Sequence, residues 1–108
     1  MKIVDENLAF ITKDGQKLYS IVDLLLWLYF CNDEYFKYHV NENENHFYNW
    51  IKDVMGDKIL AEKLRNVKDK EEMIRILKKY IFDIKNIKVE KESEIEVLLD
   101  FVKTFIKE

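Results

Sequence analysis

This chain of 108 residues has no proline, only two glycines and one cysteine. Proline and glycine mark turns, so their scarcity excludes collagen-like and low-complexity chains and favours helical segments. The single cysteine, Cys31, cannot form a disulfide within the chain, which predicts a reducing, cytoplasmic location. Its apolar neighbours Trp27, Tyr29 and Phe30 indicate a small buried hydrophobic residue, not a reactive thiol.

The sequence also has no long hydrophobic run. The most apolar stretch, 21–31, has 11 residues and includes Asp23, whereas a membrane-spanning helix needs about 20 apolar residues. The first residues do not form the apolar core of a signal peptide. We therefore expect a soluble protein with no membrane contact.

An excess of positive charge is missing as well. The net charge is −3; residues 1–50 contribute −4 (four lysines, eight acids) and residues 51–108 contribute +1 (14 basic, 13 acidic). Nucleic-acid binding by counterion release usually needs a dense lysine and arginine face. Because acidic residues interrupt the basic ones, as on an ordinary solvated helix, nucleic-acid binding is only the alternative function. Its candidate contacts form a basic stripe on the C-terminal helices: Lys68, Arg75, Lys78 and Lys79.

The residues that are present predict a mainly α-helical fold. Hydrophobic residues make up 48% and charged residues 36% of the chain, and many apolar residues follow helical spacing. We expect one compact domain over 1–108, with five or six helices and a small N-terminal β-hairpin. The predicted elements are strands within 8–12 and 16–19, a helix over 21–31 capped by Ser20, a helix from Asn32 or Asp33, a polar loop over 41–45, two helices around Gly56, a long helix from Asp69 or Lys70, and a last helix over 93–108.

The strongest local signal is a corner between two helices. Apolar residues at i, i+3, i+4 and i+7 predict one buried helical face: Phe47, Trp50, Ile51 and Val54. Gly56 then ends the helix, since glycine adopts the left-handed conformation without strain. Asp57 is placed to cap the next helix with its carboxylate. This corner predicts a fold and names no chemistry.

The same stretch carries a family resemblance. The motif Phe-x-x-Trp-Ile-x-Asp-Val-x-Gly-Asp-x-x-Leu-Ala-x-x-Leu over 47–64 resembles an uncharacterised, mainly archaeal family of small helical domains, together with Phe10, Gly15, Ser20, Leu24, Phe36, His39 and Val40. The resemblance covers about residues 8–66 and implies a recurring fold unit, followed over 67–108 by two C-terminal helices. It implies no known activity.

Two pairs of residues could carry chemistry. His39 and His46 flank the polar loop, but they do not have the spacing of a metal-binding pair on one helix. A hydrogen bond from His39 to a backbone group that orders the loop is the favoured interpretation. Asp53 and Asp57 lie on either side of Gly56, where a structural role outweighs acid–base catalysis. We therefore expect no enzymatic activity, no metal and no cofactor.

The aromatic residues suggest a protein-interaction or assembly module. Eleven of the 15 aromatic residues lie in the first 50 positions, and the helix over 21–31 is apolar almost all the way round. Such a helix is either the centre of the core or a contact with another chain. We expect the partner to be another protein or a second copy in a homodimer, with three candidate interface residues: Trp27, Tyr35 and Tyr38.

Overall fold

A computed structural model describes residues 2–84 of the chain. These residues form five α-helices and a two-stranded antiparallel hairpin, which confirms the mainly helical fold predicted from the sequence. The predicted last helix over 93–108 lies outside the described residues.

The hairpin is shorter than the sequence suggests. Strand β1 (Phe10–Ile11) pairs with β2 (Lys17–Leu18), and the register places Phe10 opposite Leu18. A 3₁₀ turn over Glu6–Leu8 takes the place of the predicted start of the first strand. Gly15 forms the turn at a φ of 84°. A hairpin this small is marginal by itself, so packing against the helices must hold it.

Helix α1 (Ile21–Phe30) lies in the centre of the core. Ser20 caps it as predicted, accepting a hydrogen bond from the Asp23 backbone N–H, and the Asp23 carboxylate accepts one from the Tyr19 N–H at 2.8 Å. Six of its ten residues are buried. It packs mainly against the long helix α5 (Lys70–Ile84). The apolar circumference of α1 is therefore explained largely by central burial.

Helix α2 (Asp33–His39) follows α1 directly and begins at the cap Asn32, as predicted. Val40 and Asn45 then form an isolated antiparallel bridge that closes the polar loop over 41–45. Within the loop the Asn41 side-chain oxygen accepts hydrogen bonds from the backbone N–H groups of Asn43 and Glu44. The loop thus positions the end of α2 against the start of α3.

Helix α3 (His46–Trp50) continues into a π-helical turn over Ile51–Met55 that the sequence did not predict. Phe47, Trp50 and Ile51 are buried as predicted, but Met55 is 7% exposed whereas Val54 is only half-buried. A π-helical turn contains more residues than an α-helical turn, so the buried face of this segment moves by about one position, from Val54 to Met55.

The predicted corner at Gly56 is confirmed. Gly56 has a φ of 71°, and Asp57 caps helix α4 (Lys58–Leu64) by accepting from the Leu60 N–H at 3.0 Å. The Tyr80 hydroxyl donates a further hydrogen bond to the Asp57 carboxylate. Asp57 therefore has the structural role that its position predicts, and it ties the corner to α5. Asp53 lies 3.9 Å from the Lys52 ammonium at the surface.

Candidate functional site

The candidate site in the described part of the chain is built around a buried histidine. His39, the last residue of α2, is only 3% exposed. Aromatic rings enclose it with centroid distances of 5.0 to 5.7 Å: Phe10, Trp27, Tyr38 and Phe47. The imidazole is therefore the polar member of an aromatic cluster that joins the hairpin to α1, α2 and α3.

Hydrogen bonds connect this ring into a directed chain. His39 Nε2 accepts from the Lys13 backbone N–H at 2.9 Å, and His39 Nδ1 lies 3.0 Å from His46 Nδ1. His46 Nε2 lies 3.0 Å from a Glu44 carboxylate oxygen. A backbone N–H can only donate and an ionised carboxylate can only accept, so the network assigns one tautomer to each ring. His39 carries its proton on Nδ1 and donates to His46, and His46 carries its proton on Nε2 and donates to Glu44.

The environment keeps His39 neutral. Burial, reinforced by the nearby His46 ring, lowers the pKa of His39 from 6.5 to about 4. Asp14 opposes this shift and Lys13 adds to it. A neutral imidazole is the form that accepts from the Lys13 N–H, so the hydrogen-bond geometry and the direction of the pKa shift agree.

The favoured interpretation of His39 is confirmed in one respect and corrected in another. The ring does accept a hydrogen bond from a backbone group, but that group belongs to Lys13 in the hairpin turn and not to the 41–45 loop. The connection to the loop runs instead through His46 and Glu44. The pairing across 26 residues arises from tertiary packing, and no local pattern could have revealed it.

Asp14 anchors the opposite side of the same cluster. Its carboxylate accepts a hydrogen bond from the Trp27 indole N–H at 2.9 Å and another from the Thr12 hydroxyl. Desolvation acts against ionisation, yet the hydrogen bonds from Thr12 and Trp27 outweigh it and lower the pKa of Asp14. The ionised carboxylate fixes the hairpin turn to α1. No sequence pattern marks Asp14 as a site residue.

The facing histidine nitrogens raise the question of a metal. A metal bound at both Nδ1 atoms would need both atoms deprotonated, with the Nε2 atoms protonated. His39 cannot meet this condition here because its Nε2 accepts from Lys13. Within residues 2–84, no three His, Cys, Asp or Glu side chains are grouped to hold a metal ion. The histidine pair (His39 and His46) thus forms a hydrogen bond between its two Nδ1 atoms in this arrangement.

The predicted interface residues take three different positions. Trp27 is buried at 6% exposure, Tyr35 is half-buried, and Tyr38 is 50% exposed. Trp27 and the half-exposed Phe30 line a groove of about 440 Å³ between α1 and the hairpin. Of the three predicted residues, Tyr38 is therefore the most exposed, whereas Trp27 is mainly a core residue.

The predicted basic stripe is not continuous. Lys78 is buried at 6% exposure, so its side chain contributes little to an exposed face. Arg75 lies 3.6 Å from Glu72, and Lys79 lies 3.6 Å from Asp83. The Lys68 ammonium donates to the Asn41 carbonyl at 3.3 Å. On the exposed side of α5, the positive charges of Arg75 and Lys79 are thus each balanced by a nearby carboxylate.

No protein-family model matches the sequence, and no curated protein or solved structure is significantly similar to it. The resemblance to an uncharacterised family stays a prediction based on the motif alone. Among residues 2–84, no helix has the length and hydrophobicity needed to cross a membrane.

Proposed function

We propose that this chain is a non-enzymatic protein-interaction module and that Tyr38 lies in its interface. The supporting observation is the state of the Tyr38 ring, which is half exposed yet held in place. It makes T-shaped contacts with His39 and His46 at centroid distances of 5.0 and 5.9 Å. The Lys13 ammonium lies 4.7 Å from the ring centroid, a distance typical of a cation–π contact.

An ordered aromatic side chain suits an interface for a physical reason. A side chain that is already fixed loses little conformational entropy on binding. Tyrosine also offers a large rigid surface with a polar tip, and it is enriched among residues that dominate binding energy. We call Tyr38 and Lys13 together the Tyr38 surface.

The distribution of exposed apolar side chains also supports an interface in the N-terminal half of the chain. Among the described residues, five of the six large hydrophobic side chains that are strongly exposed precede position 39, and the sixth is Ile59. The five are Ile3, Leu8, Ile11, Phe30 and Tyr38. We propose that the partner is another protein, with self-association as a homodimer the first form to test, and that binding needs no cofactor.

The test is sedimentation velocity over a concentration series. We expect wild-type protein to associate and Tyr38→Glu to associate at least about tenfold more weakly, because a buried unpaired charge is costly at an interface. Tyr38→Phe keeps the ring and should behave like wild type. Asn66→Asp adds the same charge at an exposed turn and should also associate normally. Circular dichroism checks that helicity is unchanged in all variants.

Two results would contradict the proposal. One is a wild-type chain that stays monomeric at high concentration and does not bind any protein from cell extract beyond those that the Tyr38→Glu variant also binds. The other is equal loss of association in Tyr38→Glu and Asn66→Asp, which would indicate a general charge effect. Strong retention on heparin at low salt, lost in an Arg75→Gln/Lys79→Gln variant, would favour the alternative of nucleic-acid binding.

A further inference from the structure

We propose that the histidine pair is a pH-sensitive switch. A proton added to either ring breaks one hydrogen bond in the series that connects Lys13 to Glu44, and the Tyr38 surface then loosens. The switch itself does not depend on the proposed function. Its effect on association does.

The hydrogen bonds that connect Lys13 to Glu44 all run in one direction. One end of the chain is the Lys13 backbone N–H, which has no lone pair to offer, and the other end is the Glu44 carboxylate. Between them each ring donates once and accepts once. The neutral pair therefore satisfies every group in a single arrangement, and the order of donors and acceptors cannot be reversed.

An added proton has no acceptor in this arrangement. A proton on His39 Nε2 would face the Lys13 N–H across 2.9 Å, and the hairpin turn would lose its bond to α2. A proton on His46 Nδ1 would face the His39 Nδ1–H across 3.0 Å, and α2 would lose its bond to α3. In either case two donors point at each other, and one contact must open.

Charged and titratable groups face the pair from several elements. The hairpin turn contributes Lys13 and Asp14, the polar loop contributes Glu44, and α2 contributes Tyr38; α1 presents the Trp27 indole, whose N–H is engaged by Asp14. Asp14 favours an imidazolium at His39, whereas burial, His46 and Lys13 oppose it, so that the pKa of His39 falls to about 4. Mild acid therefore acts on a ring that is neutral at pH 7.

Tyr38 is the group that transmits the change to the surface. Its ring contacts both imidazoles and lies under the Lys13 ammonium. Opening the Lys13–His39 contact removes the hairpin turn from α2 and with it the position of the cation over the ring. Opening the His39–His46 contact moves the two rings against which the Tyr38 ring packs. Either event frees an aromatic side chain that is fixed at neutral pH.

The test is an NMR titration of the full chain from pH 7.5 to 4.5. At pH 7 the ring ¹⁵N shifts should show His39 protonated on Nδ1 and His46 on Nε2. The protection factor of the Lys13 amide should then fall by about tenfold per pH unit below about 6.5. The Cys31 amide, bonded to the Trp27 carbonyl at 2.8 Å, lies outside this series of hydrogen bonds and should stay better protected than the Lys13 amide at every pH.

Two variants separate the switch from general acid loosening. Gln at position 39 offers an amide oxygen to the Lys13 N–H and does not titrate, so His39→Gln should make Lys13 protection independent of pH. His46→Asn keeps an acceptor for His39 Nδ1–H and removes a group that opposes protonation of His39. The loss of protection should therefore begin near the same pH and level off at a higher pH in His46→Asn.

Three outcomes would overturn the switch. They are ring tautomers opposite to those stated, equal protection factors at Lys13 and Cys31 throughout the titration, and the same pH course in His39→Gln as in wild type. The first needs only wild-type protein, so a variant that fails to fold does not prevent a decision. If Lys13 responds as expected while neither self-association nor a partner protein is found, the proposed function fails and the switch stands.

Discussion

The two tryptophans are each buried and each satisfied by one hydrogen bond to the N-terminal segment. The Trp27 indole N–H donates to Asp14 in the hairpin turn, and the Trp50 indole N–H donates to the Leu8 carbonyl at 3.0 Å. A buried indole that lacks such a partner would cost free energy. Both rings therefore fill the core and also fix the segment before α1 to the helices.

Replacing Trp50 with alanine should lower the free energy of unfolding by about 3–5 kcal/mol, the range for deletion of a buried aromatic side chain. Trp50→Phe keeps an aromatic ring but leaves the Leu8 carbonyl without its donor, so its cost should be smaller, about 1–2 kcal/mol. Urea unfolding followed by circular dichroism measures both values. A Trp50→Ala protein that melts within a degree or two of wild type would contradict a core role for this side chain.

The buried imidazole also makes stability depend on pH. The pKa of His39 is about 4 in the folded chain and 6.5 in the unfolded chain. Between these values the unfolded chain binds a proton that the folded chain does not, so the free energy of unfolding decreases as pH falls from about 6.5 to 4. The full loss should be about 3 kcal/mol, and below pH 4 this residue contributes no further loss.

Urea unfolding at pH 7, 6 and 5 measures this dependence. His39→Gln should have a flatter profile over the same range because glutamine does not titrate. Asp14, whose pKa is lowered, contributes its own loss below its unfolded value of 3.8, outside this range. Identical profiles for wild type and His39→Gln would show that another group dominates the pH dependence.

At the scale of the helices and turns, local side chains determine where elements begin and end. Ser20, Asn32, Asn45, Asp57 and Asp69 each accept a hydrogen bond from a backbone N–H in the first turn of the helix that follows. Most of these boundaries could be predicted because a cap and its helix are neighbours in sequence. The π turn after α3 could not, because it depends on how Trp50, Ile51 and Met55 pack in three dimensions.

Gly56 provides a direct test of this local control. Its φ of 71° is unfavourable for other residues, whereas an added Cβ would meet no other atom within 4 Å. Gly56→Ala should therefore cost about 1 kcal/mol through backbone strain alone. Gly56→Asn should cost less, since asparagine tolerates the left-handed region. Urea midpoints compare the two, and an equal or larger cost for asparagine would contradict this explanation.

At the scale of the whole molecule, long-range contacts decide the site. Sequence patterns correctly predicted the helical fold, the buried Trp50 and the Gly56 corner, since each rests on spacing within about two helical turns. The contact of Lys13 with His39 and the burial of Trp27 and Lys78 depend on how distant segments meet. A histidine that is seven residues from its partner and 26 from its donor leaves no local signal.

The way the hairpin is held has a consequence for the order of folding. Its strands have two residues each. The hydrogen bonds that connect the hairpin turn and the preceding Leu8 to the helices involve Trp27, His39 and Trp50, all later in the chain. The hairpin therefore lacks its supports until the helices have assembled, and we infer that it forms after the rate-limiting step. Leu18→Ala should then accelerate unfolding and leave the refolding rate nearly unchanged, with a φ-value near zero. Stopped-flow kinetics would contradict this order if the substitution mainly slowed refolding. During synthesis, the segment before α1 would accordingly stay unpaired until the chain had been translated well past Trp50.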